Sequence, residues 1–217
     1  MSQEFDLQVL NGILLGDATL MKLENEKRNS RLQIILNEKN LDLIEYLENY
    51  FNKNSIKTSK GMIKTRLNKT HYWLGTTTNE FFTVLRKRWY PNNKKIIPKN
   101  LKITPKTLAF WFMCDGGSYW ITKYKDSKSE IRISTEGYED NDIDFLIYLL
   151  KQQLNIKARK MRSKKYQIIH IGASIDVYRF LRIVEPYIIP SFRYKLKFPI
   201  LTQYRNKLQV ITVRSVS

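Results

Sequence analysis

The chain has 217 residues, 42% of them hydrophobic, which is enough for one large domain or two fused small ones with a real core. Its 38 Lys+Arg against 20 Asp+Glu give a formal charge of +18. The basic residues are spread along the whole length, so an extended cationic surface is expected; nucleic acid is the leading partner, with a ribosomal-type basic protein and an anionic membrane surface as the other readings. A single cysteine, Cys114, excludes an internal disulfide and a Cys-based zinc site, and two histidines leave little for a His-rich one.

The apolar runs, such as Leu108 to Cys114, are far shorter than the ~18 residues a bilayer span needs, so no membrane helix is expected. Glu4, Asp6 and the absence of arginine before Arg28 resemble neither a secretory signal nor an Arg-rich transit peptide. The protein is therefore expected to work where it is made.

Phe5, Val9, Ile13 and Leu14 fall at helical spacing, which predicts a helix over 5–17 with Ser2 as its cap. A hairpin over 18–23 and 31–36 should follow, with Leu32, Ile34 and Leu36 on one face of its second strand and Arg31 and Gln33 on the other. Leu43, Leu47, Tyr50 and Phe51 mark a second amphipathic helix over 40–51. Two basic strands are predicted at 56–66, carrying Lys57, Lys60 and Lys64, and at 71–75, where His71 and Trp73 alternate with Tyr72 and Leu74. A helix over 79–89 closes the unit before a polar connector from Pro91 to Pro105.

The order then repeats. Thr104 is placed to cap a helix whose first turn takes Pro105. Strands are predicted at 118–123 and 131–135, a helix at 140–154, strands at 156–162 and 166–172, and a last helix at 174–185. Gln33 lines up with Arg132, Lys57 with Lys157, Trp73 with His170 and Gly75 with Gly172, at offsets of 97 to 100 residues. An internal duplication with a pseudo-twofold axis is the expected architecture.

Two stretches anchor that duplication: Leu10 to Ala18, LNGILLGDA, and Leu108 to Gly116, LAFWFMCDG. Each is an apolar helical run ending at an aspartate, Asp17 and Asp115, 98 residues apart. A carboxylate at a helix carboxyl end adds to the roughly half negative charge already there, so a cation is called for. A hard divalent ion fits, because it takes carboxylate and backbone carbonyl oxygens together; Gly16 and Cys114, the residues just before the aspartates, join them as expected metal-holding positions. The plain alternative is that both aspartates are turn residues, with Asp115 opening a Gly116-Gly117 turn. If the two helices pack together, Phe110 should sit over Gly12, a knob in its neighbour's notch.

These motifs resemble those of the LAGLIDADG homing endonucleases, in their single-chain, two-motif branch. NNKKIIPKNL, TPKTLAFWFMCDGG and IIPSFRYKL look like the yeast mitochondrial intron-encoded members, so the likeness covers most of the chain. It implies an α+β fold of two pseudo-symmetric αββαββα repeats, each with a four-stranded antiparallel saddle-shaped sheet, joined through the two packed motif helices. The halves would be 1–92 and 105–217, with 93–104 as linker. It further implies a monomer that binds double-stranded DNA, with no membrane partner, and makes a staggered double-strand cut with 3′ overhangs. Asp17 and Asp115 would hold Mg²⁺, and Lys95 and Lys195 match the basic residue that relatives keep in each half, as phosphate clamps or in activating water. Ala18 and Cys114 depart from the family pattern, which has glycine and a second acid there.

Strand parity gives the residues expected to face bases: Arg31, Gln33, Lys57, Lys60, His71 and Trp73 in the first unit, and Arg132, Ser134, Lys157, Arg159, Gln167 and His170 in the second. Gln167 fits less well, since it shares its parity with Ile169 and Ile171. His71 and His170 do not correspond across the repeat, which argues against a His-based nuclease centre. The alternative function within the same fold is an RNA maturase binding its intron RNA. Abundant Lys, Ile, Asn and Tyr suggest an AT-rich gene, pointing to a mitochondrial intron, with chloroplast, bacterial and phage origins left open.

Overall fold

A computed structural model describes residues 6–22, 29–121, 128–163 and 166–196. The chain runs α1 (Leu7–Leu15), β1 (Thr19–Met21), β2 (Arg31–Asn37), α2 (Leu41–Lys53), β3 (Thr58–Lys64), β4 (Thr70–Thr76) and α3 (Glu80–Trp89). The same order follows as α4 (Pro105–Asp115), β5 (Gly116–Ile121), β6 (Lys128–Ser134), α5 (Asp140–Leu154), β7 (Arg159–Ser163), β8 (Tyr166–Ile171) and α6 (Ser174–Val184). This is an α+β fold of two αββαββα repeats. Each repeat has a four-stranded antiparallel sheet, ordered β1-β2-β4-β3 in the first and β5-β6-β8-β7 in the second. Among the described residues no helix is long and apolar enough to cross a membrane.

Helices that are apolar all round are buried all round. In α1, Val9, Leu10, Gly12, Ile13, Leu14 and Leu15 are buried, and in α4 every residue from Thr107 to Met113 is. The two helices lie side by side and parallel. Their starts are joined by an ion pair of Lys106 with Asp6 at 2.7 Å and by a hydrogen bond from Thr104 Oγ1 to Gln8 Oε1 at 2.6 Å. Further along, Gly12 meets Phe110 and Gly16 meets Cys114: a Cβ built on either glycine would fall 2.5 Å and 2.3 Å from the partner's Cβ. The expected packing of Phe110 over Gly12 is observed, and Gly16 has the same purpose one turn on. A single apolar core runs through this contact from Leu20, Leu32 and Phe51 on one side to Ile131, Ile169 and Phe180 on the other.

The alternation expected in β2 holds: Leu32, Ile34 and Leu36 face the helices and are buried, while Arg31, Gln33 and Ile35 face outward. In β6, Ile131 and Ile133 are likewise fully buried, leaving Arg132 and Ser134 on the outer face. Each sheet therefore has one face on the helices and one open face.

Three expectations need correcting. The cap of α1 is Asp6, whose carboxylate accepts from the Gln8 N–H at 3.0 Å; Ser2 lies outside the described residues. The second strand hairpin starts at Gly116, not at 118, and its backbone there is extended (φ −85°, ψ 152°), so no glycine turn follows Asp115. Gly116 is needed for space instead, because a Cβ would lie 2.0 Å from Phe112 Cδ2. Finally, Gln33 and Arg132 do match, each being paired two residues after its aspartate, with Thr19 and Gly117. Yet Gly75 lies opposite Gln33 where His170 lies opposite Arg132, so His170 corresponds to Gly75 and Ile168 to Trp73. A fixed sequence offset misses this because the pairing in the two sheets differs by two residues.

Candidate active site and nucleic-acid interface

The carboxyl ends of α1 and α4 bring Asp17 and Asp115 within each other's field, and Asp115 lines the cavity on the open face of the second sheet. Both helix ends leave carbonyls without intrahelical partners, and both find cations. At α1, Tyr138 donates its hydroxyl to Leu15 O at 2.9 Å and Lys95 Nζ donates to Gly16 O at 3.3 Å. The Lys95 ammonium also lies 5.5 Å from the centre of the Tyr138 ring. At α4, Lys195 commits all three ammonium hydrogens, to Phe112 O (3.1 Å), Met113 O (2.8 Å) and Gly116 O (2.6 Å), and is buried. The two lysines are therefore not equivalent in use, although both stand within the field of both aspartates.

The electrostatics leave the site short of positive charge. Two carboxylates and about half a negative charge from each helix end face two ammonium groups, an excess of roughly one negative charge. Burial, and then the neighbouring charge of Asp17, push Asp115 up to about 7 against the pull of Lys95 and Lys195. Burial also raises Asp17, although the Cys114 thiol, Lys195 and Lys95 counteract it. Asp17 is the more exposed of the two aspartates, Asp115 being half-buried. Burial lowers both lysines, and the carboxylates restore part of that. The Cys114 thiol is pushed well up by burial and by Asp17, which leaves the backbone carbonyl as the hard donor of that residue. The donors left are two carboxylates and backbone oxygens, a hard oxygen set that fits Mg²⁺-type ions and not soft metals.

On the open face of the first sheet stand Arg31, Gln33, His71 and Trp73, with Lys57 at the same parity just before β3. With Ile35, Ile63 and Gly75, three of them (Arg31, Gln33 and Trp73) line a cavity of about 250 Å³. The indole of Trp73 lies over Gly61, where a Cβ would come within 2.8 Å of Nε1. The second open face carries Arg132, Ser134, Arg159 and His170, with Lys157 ahead of β7. Arg132 and Ser134 share a cavity of about 330 Å³ with Asp115, Tyr119 and Tyr166. Two expected base-facing residues are on the wrong side. Lys60 lies opposite Leu74 on the helix face and is paired with Glu48 of α2 at 2.6 Å. Gln167 shares the face of Ile169 and Ile171.

A family model described as the LAGLIDADG DNA endonuclease family matches residues 7–175, spanning both aspartates. The chain belongs to the LAGLIDADG DNA endonuclease family. It is 33% identical over 197 residues to a probable intron-encoded endonuclease 1 of Wickerhamomyces canadensis, covering 88% of this chain and 83% of that one. It is 28% identical over 200 residues to the cytochrome b mRNA maturase bI2 of Debaryomyces hansenii, covering 88% of this chain and 72% of the relative. Among solved structures, the homing endonuclease I-WcaI bound to its DNA recognition sequence superposes with a TM-score of 0.76 at 29% identity, over 91% of this chain and 88% of that one.

For a LAGLIDADG protein, the residues missed in the sequence are as telling as those found. Tyr138 stands in a loop after β6, yet it closes the end of α1 and underlies Lys95. Trp111 precedes Asp115 by one helical turn; its buried indole N–H closes no full hydrogen bond and offers that carboxyl a weak donor. Glu130 is the acid on an otherwise basic open face, bonded to Arg132 and His170. Glu130 lies just before the strand predicted at 131–135, at the parity of Arg132, and only the longer observed strand, Lys128–Ser134, brings it onto the open face.

Proposed function

We propose that this chain is a sequence-specific homing endonuclease that cuts both strands of a long, asymmetric duplex DNA target by Mg²⁺-dependent phosphodiester hydrolysis, leaving 3′ overhangs and promoting mobility of its intron. The observation that carries this is the meeting of Asp17 and Asp115, with Lys95 and Lys195, at the ends of two packed helices between two basic open faces. Asp17, Asp115 and the neighbouring backbone carbonyls of Gly16 and Cys114 are the groups that would hold divalent ions. Such ions supply Lewis-acid stabilisation of the leaving oxygen and a low-pKa water. The chain's own residues do the rest. The carboxylates would hold the ions where the scissile phosphates come to lie, Lys95 offers a positive charge beside them, and the open faces set the register of the duplex.

The two faces differ at matching positions, Gln33 against Arg132 and Gly75 against His170, which supports an asymmetric site read by a monomer. The yeast relatives support an organellar, intron-borne gene, and the composition supports a mitochondrial one. The likeness to a maturase keeps intron RNA as the competing partner; retention of both aspartates favours cutting. A plasmid bearing the joined exons that flank the gene tests this directly. The wild-type chain linearises it in Mg²⁺ and Asp17→Asn does not. Cleavage by Asp17→Asn at the wild-type rate would place the active site elsewhere.

A further inference from the structure

Four polar side chains form one hydrogen-bonded chain across the open face of the second sheet. Glu130 Oε1 accepts from Arg132 Nε at 2.5 Å and also meets a terminal nitrogen of the same guanidinium. Glu130 Oε2 lies 2.9 Å from His170 Nε2, and Arg159 Nε lies 3.2 Å from His170 Nδ1. A guanidinium can only donate, so Nδ1 is the acceptor and Nε2 carries the hydrogen given to Glu130. Register explains the chain: His170 of β8 is directly paired with Arg132 of β6 on one side and Arg159 of β7 on the other. Gly172 makes room for the imidazole, since a Cβ there would fall 2.5 Å from His170 Cε1.

The arrangement is layered. Glu130 and His170 are buried, at 8% and 5% exposure, while Arg159 is exposed and the Arg132 side chain is 34% exposed, lying 4.4 Å over the Tyr119 ring. In both arginines the Nε–H points inward to the network. Arg159 keeps both terminal NH₂ groups outside the network, and Arg132 keeps one wholly outside it and one shared with Glu130, whose outward N–H completes the end-on fork that matches O6 and N7 of guanine. A network closed in the free protein removes rotamer freedom before binding, so the forks meet their target pre-set. Among the described residues the first sheet shows no counterpart: Gln33 faces Gly75, and its neighbours Ile35 and Ile63 are apolar and exposed.

We infer that Glu130 is the positioning residue of an arginine pair, Arg132 and Arg159, which reads two guanines in the half-site facing the second sheet. This rests on the endonuclease reading proposed above. Selection of bound duplexes from a randomised pool, with the full chain and no divalent metal, tests it. Wild type enriches one asymmetric site containing two required guanines in one half. Glu130→Gln keeps the site and the other half but loses preference at both guanines by about tenfold or more. Arg132→Lys, which keeps the charge and removes the fork, loses it at one of them; a merely structural role for Glu130 would shift thermal stability and leave base preference alone. If Glu130→Gln fails to fold, Arg132→Lys and Arg159→Lys decide, each expected to relax one guanine in the same half-site. A selected site with no required guanine in either half, or variants with unaltered preference, overturns this inference and leaves the endonuclease reading standing. Enrichment of no sequence at all overturns both.

Discussion

Phe110 occupies the notch left by Gly12: a Cβ on Gly12 would lie 2.5 Å from the Cβ of Phe110 and 2.6 Å from the carbonyl oxygen of Thr107. Neither atom can swing aside, because one is the root of a side chain and the other is backbone. In a free helix Gly→Ala gains about 1 kcal/mol; here overpacking of ~1–3 kcal/mol reverses the sign. Gly12→Ala is therefore expected to lower the melting temperature by a few degrees, and Gly12→Leu to abolish folding. Adding Phe110→Ala should not rescue Gly12→Ala, since the Cβ and the Thr107 carbonyl both remain. A Gly12→Ala chain that melts at or above wild type would show that the helices are free to separate.

Lys95 and Lys195 should part company under mutation. Lys195 is buried with three carbonyl acceptors, so Lys195→Met leaves Phe112 O, Met113 O and Gly116 O without their donor. Unsatisfied buried acceptors cost ~1–3 kcal/mol each before relaxation, and a clear fall in melting temperature is expected together with lost cutting. Lys95 makes one long hydrogen bond among the described residues, to Gly16 O at 3.3 Å. Lys95→Met should keep most of its stability and lose cutting tenfold or more. Thermal melts and single-turnover cleavage of both variants separate the roles; equal melting temperatures would mean that Lys195 is no helix-end partner.

What could be read from the sequence follows the periodicities. Leu32, Ile34 and Leu36 against Arg31 and Gln33 give an unambiguous face, because β2 lies inside its sheet and one side of it is dry. Lys60 misled because β3 is an edge strand with both faces wet, so its pattern carries no parity; only the pairing with Leu74 decides. The motif helices were legible as apolar runs, and Gly12 as a notch, but the three carbonyls that hold Lys195 are a matter of tertiary geometry. Glu130 reads as one more solvated acid in sequence. Its burial between His170 and Arg132 comes from a strand register two residues away from the one that sequence offset implies.

Binding to a duplex should be steeply salt-dependent. The net charge of +18 is spread over the chain, and the arginines and lysines of the open sheet faces are flanked by others suited to phosphate. Each neutralised phosphate contributes a slope of about −0.9 in log K against log salt, so several contacts cost orders of magnitude between 50 and 200 mM. Titration of the wild-type chain with its selected duplex at four salt concentrations measures the slope. A slope near zero would remove the case for backbone contacts along both faces.

Asp115 makes stability depend on pH in a definite direction. Its carboxyl titrates near 3.8 in the unfolded chain and at about 7 in the fold, where burial and Asp17 oppose its charge. Between those values the folded protein holds a proton that the unfolded chain has released, so this group's contribution falls as pH rises and is least favourable above 7. Asp115→Asn removes the dependence: it is expected to melt above wild type at pH 8.5, by upward of ~1 kcal/mol, with the gap closing toward pH 5. Mg²⁺ neutralises the same repulsion, so millimolar Mg²⁺ should raise the wild-type melting temperature at pH 8.5 and leave Asp115→Asn nearly unchanged. On the proposed endonuclease reading, in which both carboxylates hold the ions, cutting should rise with pH toward 7, earlier at higher Mg²⁺. Equal melting of both proteins at every pH would mean that the aspartates do not feel each other across the helix contact.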